Sequence, residues 1–451
     1  MALDPASLGA VALRDLIASG AISAEAATAA CLKRIADTEP HLQAWAYVDG
    51  NYAMAQARAL DAQRKAGRAT GMLHGVPVGI KDVIDTARMP TECGTEIMRG
   101  RVPAKEAHLV SRLRAEGAVI IGKTVTTELA FLEPSRSRNP HDPSRSPGGS
   151  SAGSAVAVAS GQVPLAVGTQ TGGSVIRPAS YCGIVGFKPS YGLIGRTGVL
   201  IQSPFLDTVG AFARSVEDAA LLVEAMSGHD PQDAATSMSP VPRLVDAATQ
   251  DPPLPPLLAV LSLPGADRVM ADALDELRGD LGDCARAVDL LPGLAEADSI
   301  RRRINLAELS KCYYALERQG RDRLSQRMCD ALDEGKATLA RDYIAALDWR
   351  QVLNAGLEEL LSRCDAILCP AATGPAPLMA DDSTGSPVMN GPWTLCGVPA
   401  ITLPLLTDGS GLPLGVQLIG RRGEDARLMR TANWLMRRQL QNQSIDERRV
   451  G

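Results

Sequence analysis

The sequence predicts an α/β protein built on a largely parallel, buried sheet. Three observations carry that expectation. Residues 104–133 read as a helix from Glu106 to Glu116, a break at Gly117, the apolar run Ala118-Val119-Ile120-Ile121, and a further helical stretch. Other short apolar runs, bounded by Gly and Pro, have the length of strands rather than helices. Between them lie long Ala- and Leu-rich stretches with apolar residues at helical spacing, and strands that alternate with helices form parallel sheets covered on both faces.

Along the chain, residues 5–36 and 51–67 are predicted helical, with Leu13, Leu16, Ile17, Ala29, Leu32 and Ala36 on the helical period. Residues 73–82, LHGVPVGIKD, read as a short strand interrupted by Gly and Pro and ending on Lys81-Asp82, so Lys81 sits where an interior strand emerges. Residues 134–154 break the pattern with Pro, Ser, Arg and Gly, and a loop so rich in turn formers inside a compact protein is usually functional. A small-residue helix (Ser154 to Ser160), a strand (Val163 to Val167) and a second Gly-rich loop (168–174) follow. Residues 228–256 read as a surface connection ending in Pro252-Pro253-Leu254-Pro255-Pro256. Leu257 to Leu263 reads as a strand and 267–363 as mostly helical. Strands around 366–369, 400–403 and 414–419 and a helix from near Glu424 close the chain. No repeat, low-complexity tract or clean domain boundary stands out.

Composition narrows the function classes. The 451 residues carry a formal charge of -5, 45% hydrophobic and 3% aromatic residues, a soluble globular balance. At roughly 150 residues per domain the length alone suggests about three domains. Without a long Lys/Arg run, a nucleic-acid surface is not expected, because binding phosphates needs clustered cations. Nine cysteines, an odd number with no CxxC pair, fit reduced thiols in a cytoplasmic protein. The start, MALDPASLGA, has no signal-peptide pattern, and no run reaches the ~18 apolar residues of a membrane span. Only eight of the 46 basic residues are Lys, and there are five His.

Two motifs mislead. Gly117 to Thr124 fits the phosphate-loop pattern G-x-x-x-x-G-K-[ST], but its four variable residues are themselves the apolar strand, whereas a phosphate loop follows its strand. The expected reading is a buried strand that leaves through a Gly turn. Gly149-Ser150-Ser151-Ala152-Gly153 fits the G-x-S-x-G elbow, but a Pro-rich loop precedes it, and the one later histidine, His229, reads as part of a surface turn. The scarcity of His and the absence of HExxH also argue against a zinc hydrolase.

Two Gly/Ser loops remain, 148–154 and 169–174. Alone, each reads as a connection at a sheet edge. Together with GVPVGIKD (75–82), GTQTGGSVIRPASYCGIVGFKPSYG (168–192), GVPAITLPL (397–405) and LPLGVQLIG (412–420), they resemble the amidase signature family over most of the chain. The resemblance implies a single large α/β/α amidase-signature fold around a mixed, mostly parallel twisted sheet, spanning 1–451. Within it come N-terminal helices (1–70), a catalytic core (71–215), a helical region that shapes the pocket (267–363) and C-terminal strands and a helix (364–445).

Carried over by position, the resemblance makes Ser174 the nucleophile, Ser150 a bridging serine preceded by a cis peptide, and Lys81 the terminal base. Thr171, Gly172, Gly173 and Ser174 supply the oxyanion-hole amides, and Gly149, Ser151 and Arg177 contact the substrate. The chemistry is coherent: a neutral lysine can take a serine proton through a second hydroxyl where no histidine is placed to do so. Burial against Val78 and Ile80 would lower the Lys81 pKa from its usual value of about 10.4. Gln170 stands where many members have Asp, and Ala152 where many have Gly. Arg177 follows Ser174 by three residues rather than two, as in the malonamidase-like branch, where the matching Arg meets a substrate carboxylate. The other reading of Arg177 is a pair with an internal carboxylate.

The expected activity is hydrolysis of an amide C–N bond through an acyl-enzyme, on a small carboxylate-bearing amide, with water as co-substrate and without metal or organic cofactor. A broader aryl-amide, carbamate or ester hydrolase, and an amidotransferase A-type subunit that needs a partner, are the alternatives. Neither membrane nor nucleic acid is an expected partner; a homodimer is the assembly considered. Of Tyr313 and Tyr314, at most one can line the acyl pocket, since adjacent helical positions face different ways. Cys182 and Cys396 are expected to pack.

Overall fold

The computed structural model describes residues 4–450; positions 1–3 and 451 of the expected 1–451 unit lie outside the described residues. The chain runs α1 (Ala10–Ser19), α2 (Ala24–Leu42), β1 (Trp45–Val48), α3 (Gly50–Lys65), β2 (Pro77–Lys81), α4 (His108–Ala115), β3 (Val119–Thr124), α5 (Ala152–Ala159), β4 (Leu165–Gln170), α6 (Ile176–Tyr181), β5 (Val185–Lys188) and β6 (Thr208–Ala213). It continues through α7 (Val216–Met226), α8 (Leu244–Thr249), β7 (Leu258–Leu261), α9 (Arg268–Leu281), β8 (Ala285–Val288), α10 (Ala297–Cys312), α11 (Tyr314–Gly320), α12 (Gln326–Ala337) and α13 (Ala340–Leu361). β9 (Ala366–Pro370), α14 (Gly391–Cys396), β10 (Ala400–Thr407), β11 (Pro413–Ile419) and α15 (Asp425–Val450) complete it.

The strands form one sheet in the order β1-β3-β2-β4-β6-β5-β10-β11-β9-β7-β8. Its interior strands are buried on both faces, and their side chains divide with period two, as strand geometry requires. In β4, Leu165 and Val167 enter one core while Ala166 enters the opposite one. In β9, Ala366 and Leu368 face the first core, and Ile367 and Cys369 face another. Helices cover both faces, so the α/β/α expectation holds. Side-chain caps fix several helix starts: Ser23 accepts from Ala26 N–H at α2, and Ser215 from Asp218 N–H at α7.

The sheet is mixed, as the resemblance implies, but it is not mostly parallel. Parallel pairing is confined to β3/β2/β4 and β9/β7/β8, four ladders, against six antiparallel ones among the described residues. The reason is in the connections. The β10–β11 turn spans residues 408–412, too short for a crossover, and it forces an antiparallel pair. The other antiparallel ladders involve β1, β5 and β6, which the apolar-run pattern does not pick out, and the β11–β9 pair.

Three local expectations are corrected. β3 extends to Thr124 with Gly122 inside it, so no Gly turn ends that strand. After β3 the expected helical stretch is reduced to one short 3₁₀ turn at Glu128–Ala130, and no α-helix forms there. The surface connection 228–256 contains α8, whose Leu244 and Ala248 are fully buried. The region 267–363 is mainly helical as expected, with β8 as the one strand. Among the described residues no helix is long and apolar enough to cross a membrane.

Candidate active site

β2 and β4 are parallel neighbours, with Ile80 opposite Val167, so their carboxyl ends lie at the same edge of the sheet. That is where open α/β sheets place their ligands. Lys81 ends β2, Gln170 ends β4, and the loop 171–175 leads from there into α6. The loop 148–151 leads into α5, which packs on β4.

Lys81 is completely buried. Its Nζ lies 2.8 Å from Ser150 Oγ and donates to Thr169 Oγ1, also at 2.8 Å. Burial among apolar groups lowers its pKa to about 7; the Asp207 carboxylate opposes that shift only in part. The Gly149–Ser150 peptide is cis. Ser151, buried beside it, donates from Oγ to Thr169 O at 3.2 Å and accepts the Thr169 amide at 3.3 Å, fixing the loop to β4.

Ser174 lies on the wall of a cavity of about 170 Å³ shared with Thr171, Gly172, Gly173, Arg177 and residues of α10. Among the described residues none hydrogen-bonds its hydroxyl, and no hydrogen bond joins it to Ser150. The backbone before it is also open. Gln170 Oε1 accepts from the amides of Val175 and Ile176 at 2.9 and 3.1 Å, and its Nε2 donates to Thr394 Oγ1 at 3.0 Å. Thr394 Oγ1 in turn donates to Gly172 O at 2.7 Å. The loop is thus clamped by its carbonyls and by the amides beyond it, while among the described residues no acceptor takes the amides of Gly172, Gly173 or Ser174. Gly173 has no room for a side chain, since a Cβ there would stand 2.3 Å from Asn390 Oδ1 and 2.9 Å from Arg177 Nη1.

Asp207 holds the start of this loop. It accepts from Thr171 Oγ1 at 2.5 Å and from the Gln202 and Ser203 amides at 2.7 and 3.0 Å. Burial raises its pKa to about 6, against the pull of those hydrogen bonds. Arg177 is buried and pairs with no carboxylate among the described residues. Its Nε donates to Thr384 O and its Nη2 to Gly149 O, both at 2.8 Å, and its Nη1 has no partner. Burial lowers its pKa to about 10, with Arg301 adding to the effect.

The nine sequence-derived residues therefore converge on one sheet edge but divide in depth. Thr171, Gly172, Gly173, Ser174 and Arg177 line the cavity; Lys81, Ser150, Gly149 and Ser151 are not among its lining residues. Tyr313 does not line it either. It is buried and donates its hydroxyl to Leu129 O at 2.8 Å, while Tyr314 is exposed. The helical wall comes instead from Asp298, Arg301, Asn305 and Leu306 of α10, which sequence reasoning did not single out. Thr169 was also missed, although it lies inside a quoted motif and on the strand next to Lys81; Asp207 carries no sequence signal. Cys182 and Cys396 pack as expected, their thiols pushed up by burial, Cys396 to about 12. Lys123, in the apparent phosphate loop, is buried and committed to Ile84 O, Thr91 Oγ1 and, at 3.3 Å, Asp82 Oδ1. Among the described residues no group of His, Cys, Asp and Glu could hold a metal ion.

With this geometry in place, the chain can be set beside known proteins. The family model described as Amidase matches residues 26–429. The A subunit of glutamyl-tRNA(Gln) amidotransferase from Cyanothece sp. (strain PCC 7425 / ATCC 29141) is 33% identical over 450 residues, 90% of this chain and 93% of that one. The protein of the same name from Chloroflexus aurantiacus (strain ATCC 29366 / DSM 635 / J-10-fl) is 34% identical over 462 residues, 94% of each chain. Among solved structures, native peptide amidase from Stenotrophomonas maltophilia superposes with a TM-score of 0.83 at 30% identity, covering 96% of this chain and 97% of that one. A chain from a vestigial protein complex that bears on the origins of an s-triazine catabolic enzyme superposes with a TM-score of 0.88 at 28% identity, covering 95% and 98%.

Proposed function

The chain belongs to the amidase signature family of amidohydrolases, and from that premise we propose that it cleaves an amide C–N bond with Ser174 as nucleophile, Ser150 as proton bridge and Lys81 as base. The observation that carries this reading is the buried Lys81 amine, 2.8 Å from Ser150 Oγ, with a pKa near neutrality. Half-neutral at pH 7, its lone pair can accept a proton while one of its own N–H groups stays on Thr169.

In the first half-reaction Ser174 Oγ attacks the carbonyl carbon and passes its proton to Ser150, whose own proton goes to Lys81 Nζ. The open amides of Gly172, Gly173 and Ser174 receive the charge that develops on the carbonyl oxygen, with Thr171 completing the loop held by Asp207. Collapse breaks the C–N bond, and the proton returns from Lys81 through Ser150 to the departing amine. Water then attacks the acyl-enzyme along the same proton path in reverse, releasing the acid and restoring Ser174. The Ser150–Ser174 hydrogen bond that the path needs forms with substrate in place, as catalytic contacts that are loose in the free enzyme commonly do.

For the substrate, the reading is a small amide bearing a carboxylate, as in the malonamidase-like branch. Arg177 supports it, because it lines the cavity and its buried guanidinium keeps an Nη1 without a partner, which suits an anion. The cavity, below the ~300 Å³ typical of drug-sized sites, favours a compact molecule. Gly149 and Ser151 act behind the wall: the Gly149 carbonyl orients Arg177, and Ser151 ties the cis peptide to β4. A panel of amides, esters and carbamates assayed on the purified chain tests the activity. Ser174→Ala should reduce turnover by about 10⁴-fold or more, and retention of full hydrolysis would overturn the assignment.

The similarity to amidotransferase A subunits favours a second reading, in which the chain releases ammonia for a partner protein. Hydrolytic turnover by the chain alone, at rates that added partner chains do not raise, would exclude it.

A further inference from the structure

Two guanidinium groups, not one, converge on the nucleophile loop. A Cβ on Gly172 would stand 3.4 Å from Arg301 Nη1, and one on the adjacent Gly173 would stand 2.9 Å from Arg177 Nη1. Arg301 comes from α10, on the helical wall of the cavity, and is nearly as buried as Arg177. The Arg301 charge is close enough to help depress the Arg177 pKa, and Asp298, paired with Arg301, opposes that effect only in part.

The local charges account for only part of Arg301. Its Nε donates to Asp298 Oδ1 at 2.8 Å, one turn back on the same helix. That pair fixes the side chain, and its Nη1, the nitrogen nearest Gly172 of the loop, donates to Asn305 Oδ1 at 3.3 Å. Asn305, one turn further along α10, is also buried, lines the cavity, and has an Nδ2 with no partner. A buried donor without an acceptor is costly, and here two such donors, Asn305 Nδ2 and Arg177 Nη1, belong to residues that line the same cavity. Arg302, also on the wall, is occupied by Glu334. With Asp298 counted against Arg301, the cavity keeps one net positive charge and a surplus of donors, the pattern that suits a single carboxylate.

Resting on the carboxylated-amide reading above, we propose that Arg301 and Asn305 form the second jaw of an anion clamp opposite Arg177, so that the substrate carboxylate is gripped from α10 as well as from α6. Arg301 is a specificity-determining residue in this scheme, and the helical region contributes selectivity through it.

Two measurements test the clamp. In the first, malonate and succinate are titrated by calorimetry into the Ser174→Ala chain, with and without a second substitution. In the second, kcat and KM are measured for a dicarboxylic acid monoamide and for the neutral alkyl amide of the same length. Arg301→Ala is expected to weaken dicarboxylate binding at least tenfold and to lower the carboxylated-over-neutral ratio of kcat/KM at least tenfold, through KM rather than kcat. Arg301→Lys should recover part of the loss. Asn305→Asp, nearly isosteric and so compatible with the fold, should lower the same ratio by setting a carboxylate against the substrate's own.

Equal losses on both amides would mean that Arg301 only braces α10 through Asp298, and would overturn the clamp. If Arg177→Ala collapses the ratio while Arg301→Ala and Asn305→Asp leave it unmoved, the clamp is wrong and the carboxylated-amide reading stands. If the unsubstituted site shows no preference and Ser174→Ala binds neither dicarboxylate, both are wrong.

Discussion

At the scale of single residues, the proposed chemistry turns on where a lysine loses its charge. Lys81 sits at the end of an interior strand with only hydroxyls for partners, so burial dominates and its pKa falls to about 7. The sign of the pH dependence follows. Below that value the amine holds its proton and accepts none, so kcat/KM should climb about tenfold per pH unit on the acid side and level off above about 7. A profile that stays flat from pH 5 to 8 would rule out Lys81 as the base. Sequence reasoning reached Lys81, Ser150 and Ser174 because each sits inside a motif. It did not reach Thr169, which shares the lysine's hydrogen bonds, because a threonine in a strand looks like any other strand residue until a neighbouring strand brings Lys81 to within 2.8 Å.

At the scale of elements, β3 shows how a motif can be right in its letters and wrong in its meaning. Gly122 and Lys123 lie within the strand, between β1 and β2. Lys123 is buried opposite Asp82, whose pKa burial raises while the lysine holds it down. Replacing the cation alone would strand that carboxylate. Lys123→Met is therefore expected to cost about 3–5 kcal/mol of stability, measured by urea unfolding, and to leave the chain with no nucleotide affinity to lose. A neutral stability effect would show that Asp82 is protonated in the folded protein. Of the strands that the apolar runs did not pick out, β5 and β6 contain glycines and β1 and β8 are short edge strands, so their pairing partners define them more than their own residues do.

At the scale of the whole molecule, the site needs elements from distant parts of the chain: β2, the loop before α5, the loop after β4, and α10. On the reading of a self-sufficient amidohydrolase, the purified chain should turn over substrate unaided and in the presence of a metal chelator. Loss of activity with EDTA, or dependence on an added partner chain, would contradict that scheme. The sequence alone determined the family, the α/β architecture and the three groups proposed for catalysis, because backbone-bound chemistry at tight turns leaves a dense local pattern of Gly and Ser. Only the tertiary structure decided that six of the ten strand pairings among the described residues run antiparallel, that Tyr313 gives its hydroxyl to Leu129 O rather than lining the cavity, and that Arg301 and Asn305 line the same cavity as Arg177. Those facts depend on which surfaces meet once the chain is folded, in the case of Arg177 and Arg301 more than a hundred residues apart, and no local run of residues encodes that meeting.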